Sequence, residues 1–237
     1  MKIYIDQKAV KRNALIGKVL RWISLGCMLI GLIAVFSQEI SANTTLFSVF
    51  FSIMIIGVLL SSISSFFTTR YGKSPRPDEL IDKSFKGLDD RYKIYHYRSS
   101  IPHLLVGPAG IWSITPTFVD GVISFDEKKK IWIHKKNSFL NRFLSKEYFP
   151  NPISDLSHHK KELEKLIGSD NNFISNDQQL NSLIILMHKN IILNGLSEYN
   201  NILILPFEKV KDRFRKLSKL NDKSSVVDQS IFQKLES

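Results

Sequence analysis

The sequence predicts an α/β protein in two parts: a two-helix transmembrane hairpin, then a small α/β domain with a mixed sheet. Three observations carry this. From Ile23 to Phe67 the only formally charged residue is Glu39, whereas from Arg70 onward charges recur every few residues. Two apolar runs stand at the start, about Leu15 to Phe36 and Leu46 to Phe67, and the second is 22 residues without a charge. At 1.5 Å per residue that length crosses a ~30 Å hydrocarbon core. Beyond Arg70, helical and strand periodicities alternate over roughly 150 residues, enough for an independent core. The single cysteine, Cys27, rules out a disulfide-stapled secreted domain. A chain that is 43% hydrophobic, with 16 phenylalanines, is too apolar for a disordered charged tail.

The first run carries Lys18 and Arg21 on its opening turns, where long basic side chains snorkel, and Trp22 is of the type that sits at headgroup depth. A cleaved signal peptide is the competing reading, with Ile40-Ser41-Ala42 as the small-residue site, but a basic region of about 21 residues is long for one. Lys2, Lys8, Lys11, Arg12, Lys18 and Arg21 precede the hydrophobic core of that run, Arg70, Lys73 and Arg76 follow the second run, and Ser37 to Thr45 has no Lys or Arg. The positive-inside rule then predicts a multi-pass protein of the inner (cytoplasmic) membrane with both termini in the cytoplasm. Gly26, Gly31, Gly57 and the serines at 48, 52, 61 and 65 are small enough for close helix packing. Pore lining by those serines requires an oligomer, since no ionisable residue lies within the spans. Cys27 reads as a small apolar residue there. The expected segments are 1–14 (cytoplasmic), 15–69 (spans at about 15–37 and 46–67), 70–77 (linker), 78–220 (cytoplasmic domain) and 221–237 (tail).

Within the domain, Asp78 is placed to N-cap a helix through Leu80, Ile81, Phe85 and Leu88. Tyr92 to Tyr97 has the aromatic and β-branched content of a strand. His103 to Val106 and Ile111 to Ile114 flank the turn Gly107-Pro108-Ala109-Gly110. Val122 to Phe125 joins Lys130 to His134 through the polar turn Asp126-Glu127-Lys128-Lys129. Pro152 to Ile167 is helical in pattern, Leu183 to Met187 and Ile202 to Leu205 read as buried strands, and Phe207, Val210, Phe214 and Leu217 recur at helical spacing.

The stretch Ile101-Pro102-His103-Leu104-Leu105-Val106-Gly107-Pro108-Ala109-Gly110-Ile111-Trp112-Ser113-Ile114 resembles the centre of the nuclease-related domain (NERD), a family of the PD-(D/E)xK endonuclease-like superfamily. The resemblance extends over much of Asp78 to Leu220, taking in Gly87-Leu88, the Asp120-Gly121 step, the Asn151-Pro152 helix start and the late strand pair. It implies a restriction-endonuclease-like domain. It also implies, for members that cut nucleic acid, an acid directly before the histidine of the first core strand and an acid-x-lysine at the end of the next. Two carboxylates hold Mg²⁺ against the scissile phosphate, and the lysine orients or deprotonates the attacking water. Here the first acid position is Pro102, and the acid and lysine positions are Thr115 and Thr117 with Pro116 between them. No proline or threonine replaces those groups, so a degenerate domain without enzymatic activity, metal or cofactor is expected.

Relocated acids are the alternative, giving a membrane-tethered nuclease or nucleic-acid-binding protein. Glu127-x-Lys129 has the letters of the motif but the position of a hairpin tip, Asp120 begins a common Asp-Gly turn pair, and Asp89-Asp90 reads as a turn. His103 lacks its acidic neighbour and reads as a strand residue; His158-His159, adjacent on a helix, point about 100° apart and do not chelate one metal together. Trp112 and Trp132 read as sheet aromatics. No P-loop or dinucleotide motif occurs. Setting aside the residues up to Arg21 and Glu39, 27 basic residues face 20 acidic ones, a surplus that draws the domain to anionic lipid or to nucleic acid. The candidate binding residues are His103, Asp120, Lys128, Lys129, Lys130, Lys135 and Lys136, with further clusters at Lys160-Lys161 and Lys209 to Lys219. The sequence thus predicts a binding or scaffold module anchored in the lipid bilayer, and it identifies no protein partner.

Overall fold

A computed structural model describes residues 1–136, 149–167 and 180–221. The chain forms two compact units, one of Asp6–Glu79 and one of Met1–Ile5 with the chain from Leu80 onward. The tail expected beyond Asn221 lies outside the described residues.

The first unit is a helical hairpin. Helix α1 (Gln7–Phe36) is capped by Asp6, whose carboxylate accepts from Ala9 N at 2.9 Å, and so starts eight residues before the expected span. A short helix α2 (Gln38–Ala42) lies in the loop, and Asn43 Oδ1 caps α3 (Thr44–Phe67) by accepting from Thr45 N and Leu46 N. A π-helical turn (Thr68–Gly72) extends α3, with the Arg70 guanidinium 4.4 Å from the Phe66 ring centroid. Both helices are long and apolar enough to cross a bilayer.

Small residues spaced seven apart form the seam. Gly17, Ser24 and Gly31 are buried on α1, and Gly57 and Ser64 on α3. Ser64 Oγ donates to Gly17 O at 2.8 Å and Ser24 Oγ to Gly57 O at 2.9 Å. Each helix thus offers one serine to the other's glycine carbonyl, and the seven-residue spacing is that of left-handed helix pairs. Of the residues expected here, Gly31 and Gly57 belong to the seam: a Cβ on Gly31 would lie 2.5 Å from Met54 Cβ. Gly26 does not, having nothing within 4 Å of its Cβ position, and Ser48 and Ser52 are exposed and donate back to Thr44 O and Ser48 O of their own helix.

Helix α4 (Pro77–Ser84) leads into the second unit. Asp78 was expected to cap it but is its second residue, fully buried and paired with Arg76 through Nε at 3.0 Å and a terminal guanidinium nitrogen at 2.9 Å. Capping falls to Glu79, which reaches back to accept from Arg76 N and Ser74 Oγ, while Pro77 takes the first helical position where no N–H is needed.

The second unit is α/β with a mixed seven-stranded sheet. Its strands are β1 (Lys2–Ile5), β2 (Lys93–His96), β3 (His103–Gly107), β4 (Gly110–Thr117), β7 (Leu180–Leu186), β10 (Ile202–Pro206) and β9 (Glu198–Tyr199), in that spatial order. β1 runs parallel to β2; β2, β3 and β4 form an antiparallel meander; β4, β7 and β10 are parallel. The expected hairpin, β5 (Gly121–Asp126) with β6 (Ile131–Lys135), is not in this sheet but pairs with β8 (Ile191–Asn194) in a second, three-stranded one. Helix α5 (Pro152–Ile167) covers one face of the main sheet, packing Leu156 and Leu163 with Leu104, Ile184 and Ile204. On the other face, Ile81 of α4, Phe85 just after it, and Val210 and Phe214 of α6 (Val210–Asn221) pack with Leu105, Trp112 and Leu183.

Candidate functional site

Antiparallel pairing of β3 with β4 brings the segments that carry Pro102, Thr115 and Thr117 to the same end of the sheet: Leu104 pairs with Ser113, Pro102 lies just before β3, and Thr115 and Thr117 lie beyond Ser113 on β4. By strand alternation Thr115 and Thr117 share the α5 face of the sheet with Ser113 and Leu104, beside Ile184 and Leu186 of β7. Pro102 is exposed, Thr115 half-buried and Thr117 buried. The Pro102 carbonyl accepts from Tyr97 N at 2.8 Å, and the Thr117 carbonyl from Met187 N at 2.9 Å.

His103 points to the opposite face and is buried. Its Nδ1 lies 2.8 Å from Nδ1 of His96, itself fully buried, and His96 Nε2 lies 3.0 Å from Asp82 Oδ1 on α4. The Tyr97 ring stands edge-on to His103 at 5.0 Å. The sequence reading picked out His103 but missed both partners, which carry no motif of their own.

Asp120 sits at the base of the β5–β6 hairpin, its carbonyl 2.6 Å from His134 Nε2. Gly121 follows with φ +106°, and a Cβ there would meet the Lys135 carbonyl at 2.2 Å, so this step requires glycine. Glu127, Lys128, Lys129 and Lys130 are exposed at the far end of the hairpin, where Asp126 Oδ1 accepts from Lys128 N and Lys129 N. Lys135 pairs with Val122 at the base. The five candidate lysines therefore divide between the two ends of a five-residue ladder, about 13 Å apart at ~3.3 Å per residue. His103 joins neither group.

Helix α5 contributes what the sequence reading passed over. His159 lies on the stripe of Leu156 and Leu163, and its buried Nδ1 has no hydrogen-bond partner. Burial pulls its pKa below the ordinary histidine value, against the opposing pull of Asp155. Burial likewise raises the Asp155 carboxyl. Glu162 accepts from Lys165 Nζ at 2.6 Å, and that ammonium, helped by the Ser100 hydroxyl, holds its carboxyl below the usual range. Ser100 precedes Pro102 by two residues, so Glu162 of α5 borders the segment that leads into β3. The i, i+4 spacing of Asp155 and His159 is the signal for this pair in the sequence. Among the described residues no three His, Cys, Asp or Glu side chains are grouped to hold a metal ion.

Fold and site together define an α/β domain, with a polar but carboxylate-poor strand end, joined to a hairpin of two long apolar helices. No family model, curated protein or solved structure matches the chain.

Proposed function

We propose that the protein is a membrane-anchored, degenerate nuclease-related domain that acts as a cytoplasmic binding or scaffold module, not as an enzyme. The observation that carries this reading is that Pro102, just before β3, and Thr115 and Thr117, at the end of the neighbouring β4, lie at the same end of the sheet, where the resemblance calls for two carboxylates and a lysine. A meander of β2, β3 and β4, followed by α5 and the parallel strand β7, supports the restriction-endonuclease-like reading. Losing the metal forfeits several kcal/mol of transition-state stabilisation, and each 1.36 kcal/mol is tenfold in rate. The relocated motif Glu127-x-Lys129 stands at a hairpin tip, remote from Asp120 at its base.

The anchoring half of the proposal rests on the apolar hairpin and on β1. Residues on both flanks of the hairpin, Met1–Ile5 before it and the chain from Leu80 after it, belong to one compact unit, so both flanks occupy the same side of any bilayer the hairpin enters. The basic flanks favour the cytoplasmic side. Two lysine groups separated along the β5–β6 hairpin favour contact with an anionic lipid surface over a nucleic-acid duplex.

The full chain purified in lipid nanodiscs is expected not to cut DNA or RNA with Mg²⁺ or Mn²⁺. Metal-dependent cleavage lost on Asp120→Ala or Glu127→Ala would sink the reading. In a Cys27→Ser background, Ala42→Cys is expected to react with an impermeant thiol reagent in intact cells, and Lys129→Cys is not. The reverse pattern would overturn the topology.

A further inference from the structure

We propose that the outward face of the three-stranded sheet of β5, β6 and β8 is a docking surface that seats on an anionic lipid headgroup layer. The inference rests on the anchoring reading for its partner, since a hairpin held in a bilayer keeps that surface at high local concentration around the domain. Strand alternation defines the face. Ile123 of β5 and Trp132 of β6 are buried in the core, with Ile191 and Leu193 of β8 packed against it. The side chains between them therefore share the opposite face: Val122 on β5, Ile131, Ile133 and Lys135 on β6, and Ile192 on β8.

This face is apolar along a diagonal and basic at both ends. Register sets Ile192 and Lys135 on either side of Val122 at the base, Asn194 and Ile133 on either side of Ser124 in the middle, and Ile131 beside Asp126 at the tip. Ile192 and Ile131 are 53% and 38% exposed, and Val122 and Ile133 lie half-buried between them. Lys128, Lys129 and Lys130 are exposed at the tip, and Lys135 and Lys189 at the base. The acids are fewer: Asp126 Oδ1 accepts from Lys128 N and Lys129 N, Glu127 stands among the three tip lysines, and Asp120 is half-buried at the base.

Charge and shape decide the occupant. A second copy laid face to face sets lysine against lysine in either orientation, because both ends of the face carry the same sign. A nucleic-acid strand gives the isoleucines nothing to do, and the rings of this sheet that could stack on bases, Phe125 and Trp132, are turned to the core side with their centroids 5.0 Å apart. An anionic lipid surface satisfies both features at once. Its headgroups meet the lysines at the two ends, and the acyl boundary just beneath them takes the apolar diagonal.

The test uses the full chain in nanodiscs that contain brominated phospholipid as a quencher, with an environment-sensitive fluorophore on one introduced cysteine in a Cys27→Ser background. With phosphatidylserine as about one lipid in three, labels at Ile192→Cys and Ile131→Cys are expected to be quenched, and a label at Glu208→Cys, in the exposed turn before α6, is not. The two sheet labels stand on separate strands, so misfolding of one variant leaves the other to decide. Discs without anionic lipid, or about 1 M NaCl, which cuts the Debye length to about 3 Å, are expected to lower the quenching at both by about fivefold or more. Lys128→Gln, Lys129→Gln and Lys135→Gln together are expected to do the same with the fold unchanged, since all three side chains are exposed. A label at Ile30→Cys on α1 reports anchorage separately and is expected to be quenched in every disc at either salt. Quenching at Ile30→Cys but at neither sheet label in the anionic discs would overturn the docking face and leave the anchor; the opposite pattern would keep the face and sink the anchor. A blue shift of both sheet labels without quenching would show protein covering the face and would overturn the lipid assignment, as would quenching indifferent to lipid charge and salt.

Discussion

In the hairpin the buried positions are Val10, Gly17, Ser24, Gly31 and Ala34 on α1 and Gly57 and Ser64 on α3, mostly small residues, while Ile33 and Phe36 are 67% and 79% exposed. In the α/β domain the distribution is inverted: Phe85, Tyr95 and Phe214 are inside, and the lysines of the β5–β6 turn are outside. The difference follows from the solvent each surface suits. In water, burying a large apolar side chain is the main stabilising term, so the domain places its bulk at the centre. Between helices in hydrocarbon no such term distinguishes inside from outside. Close backbone approach and interhelical hydrogen bonds then decide the seam, and glycine and serine permit both.

Four measurements break or sharpen this contrast. The largest effect belongs to the domain. Phe214→Ala removes a fully buried ring that meets Phe85, Tyr92 and Trp112 edge-on, and is expected to cost about 3–5 kcal/mol in chemical denaturation. A loss below about 1 kcal/mol would mean the cluster repacks freely.

In the hairpin, enlarging a residue should hurt more than shrinking one. Gly31→Leu drives atoms into Met54 and is expected to cost about 1–3 kcal/mol, whereas Gly26→Leu on the same helix has open space and should be close to neutral. Equal destabilisation of the two, measured by thermal unfolding in nanodiscs, would remove the seam assignment.

Smaller still is the loss of a serine hydrogen bond. Ser24→Ala and Ser64→Ala are each expected to cost about 0.6 kcal/mol, the average for such bonds within membranes. Thermal shifts indistinguishable from that of Ser52→Ala, whose hydroxyl bonds within its own helix, would show that the reciprocal pairs add nothing.

The smallest effect is a pH response. Burial lowers the pKa of His159, so the folded state favours its neutral form, and its contribution to stability is lost as pH falls below the unfolded-state value of about 6.5. Asp155 has the opposite sign: its raised pKa means that acidification relieves a penalty, at lower pH. His159→Gln should therefore be less acid-sensitive than wild type between about pH 7 and pH 5. Unaltered sensitivity would assign the response elsewhere.

What could be read directly was whatever repeats locally. Uncharged runs of spanning length, the Gly107–Gly110 turn between apolar strands, and the helical spacing of Leu156 and Leu163 are properties of neighbours in the chain, and each of these elements is present, the first helix starting eight residues early and the helix Pro152–Ile167 with the expected ends. At the candidate site, the identities of Pro102, Thr115 and Thr117 were legible; that they lie at the same end of the sheet depended on the β3–β4 pairing. Long-range partnership was hidden. Lys2–Ile5, expected in a separate cytoplasmic segment, is a strand paired in parallel with β2 across both apolar helices, and four residues do not encode which edge they will join. Gly17, Ser24 and Ser64 could not be told from Gly26, Ser48 and Ser52 by composition, since membership of the seam depends on the facing helix. Asp82, His96 and His103 lie on three different elements, and only the packing of α4 against the meander turns them into one hydrogen-bonded series. Local sequence determines which element forms because periodicity and turn chemistry act between near neighbours; tertiary structure decides which polar groups meet because burial forces them to find partners wherever the fold supplies them.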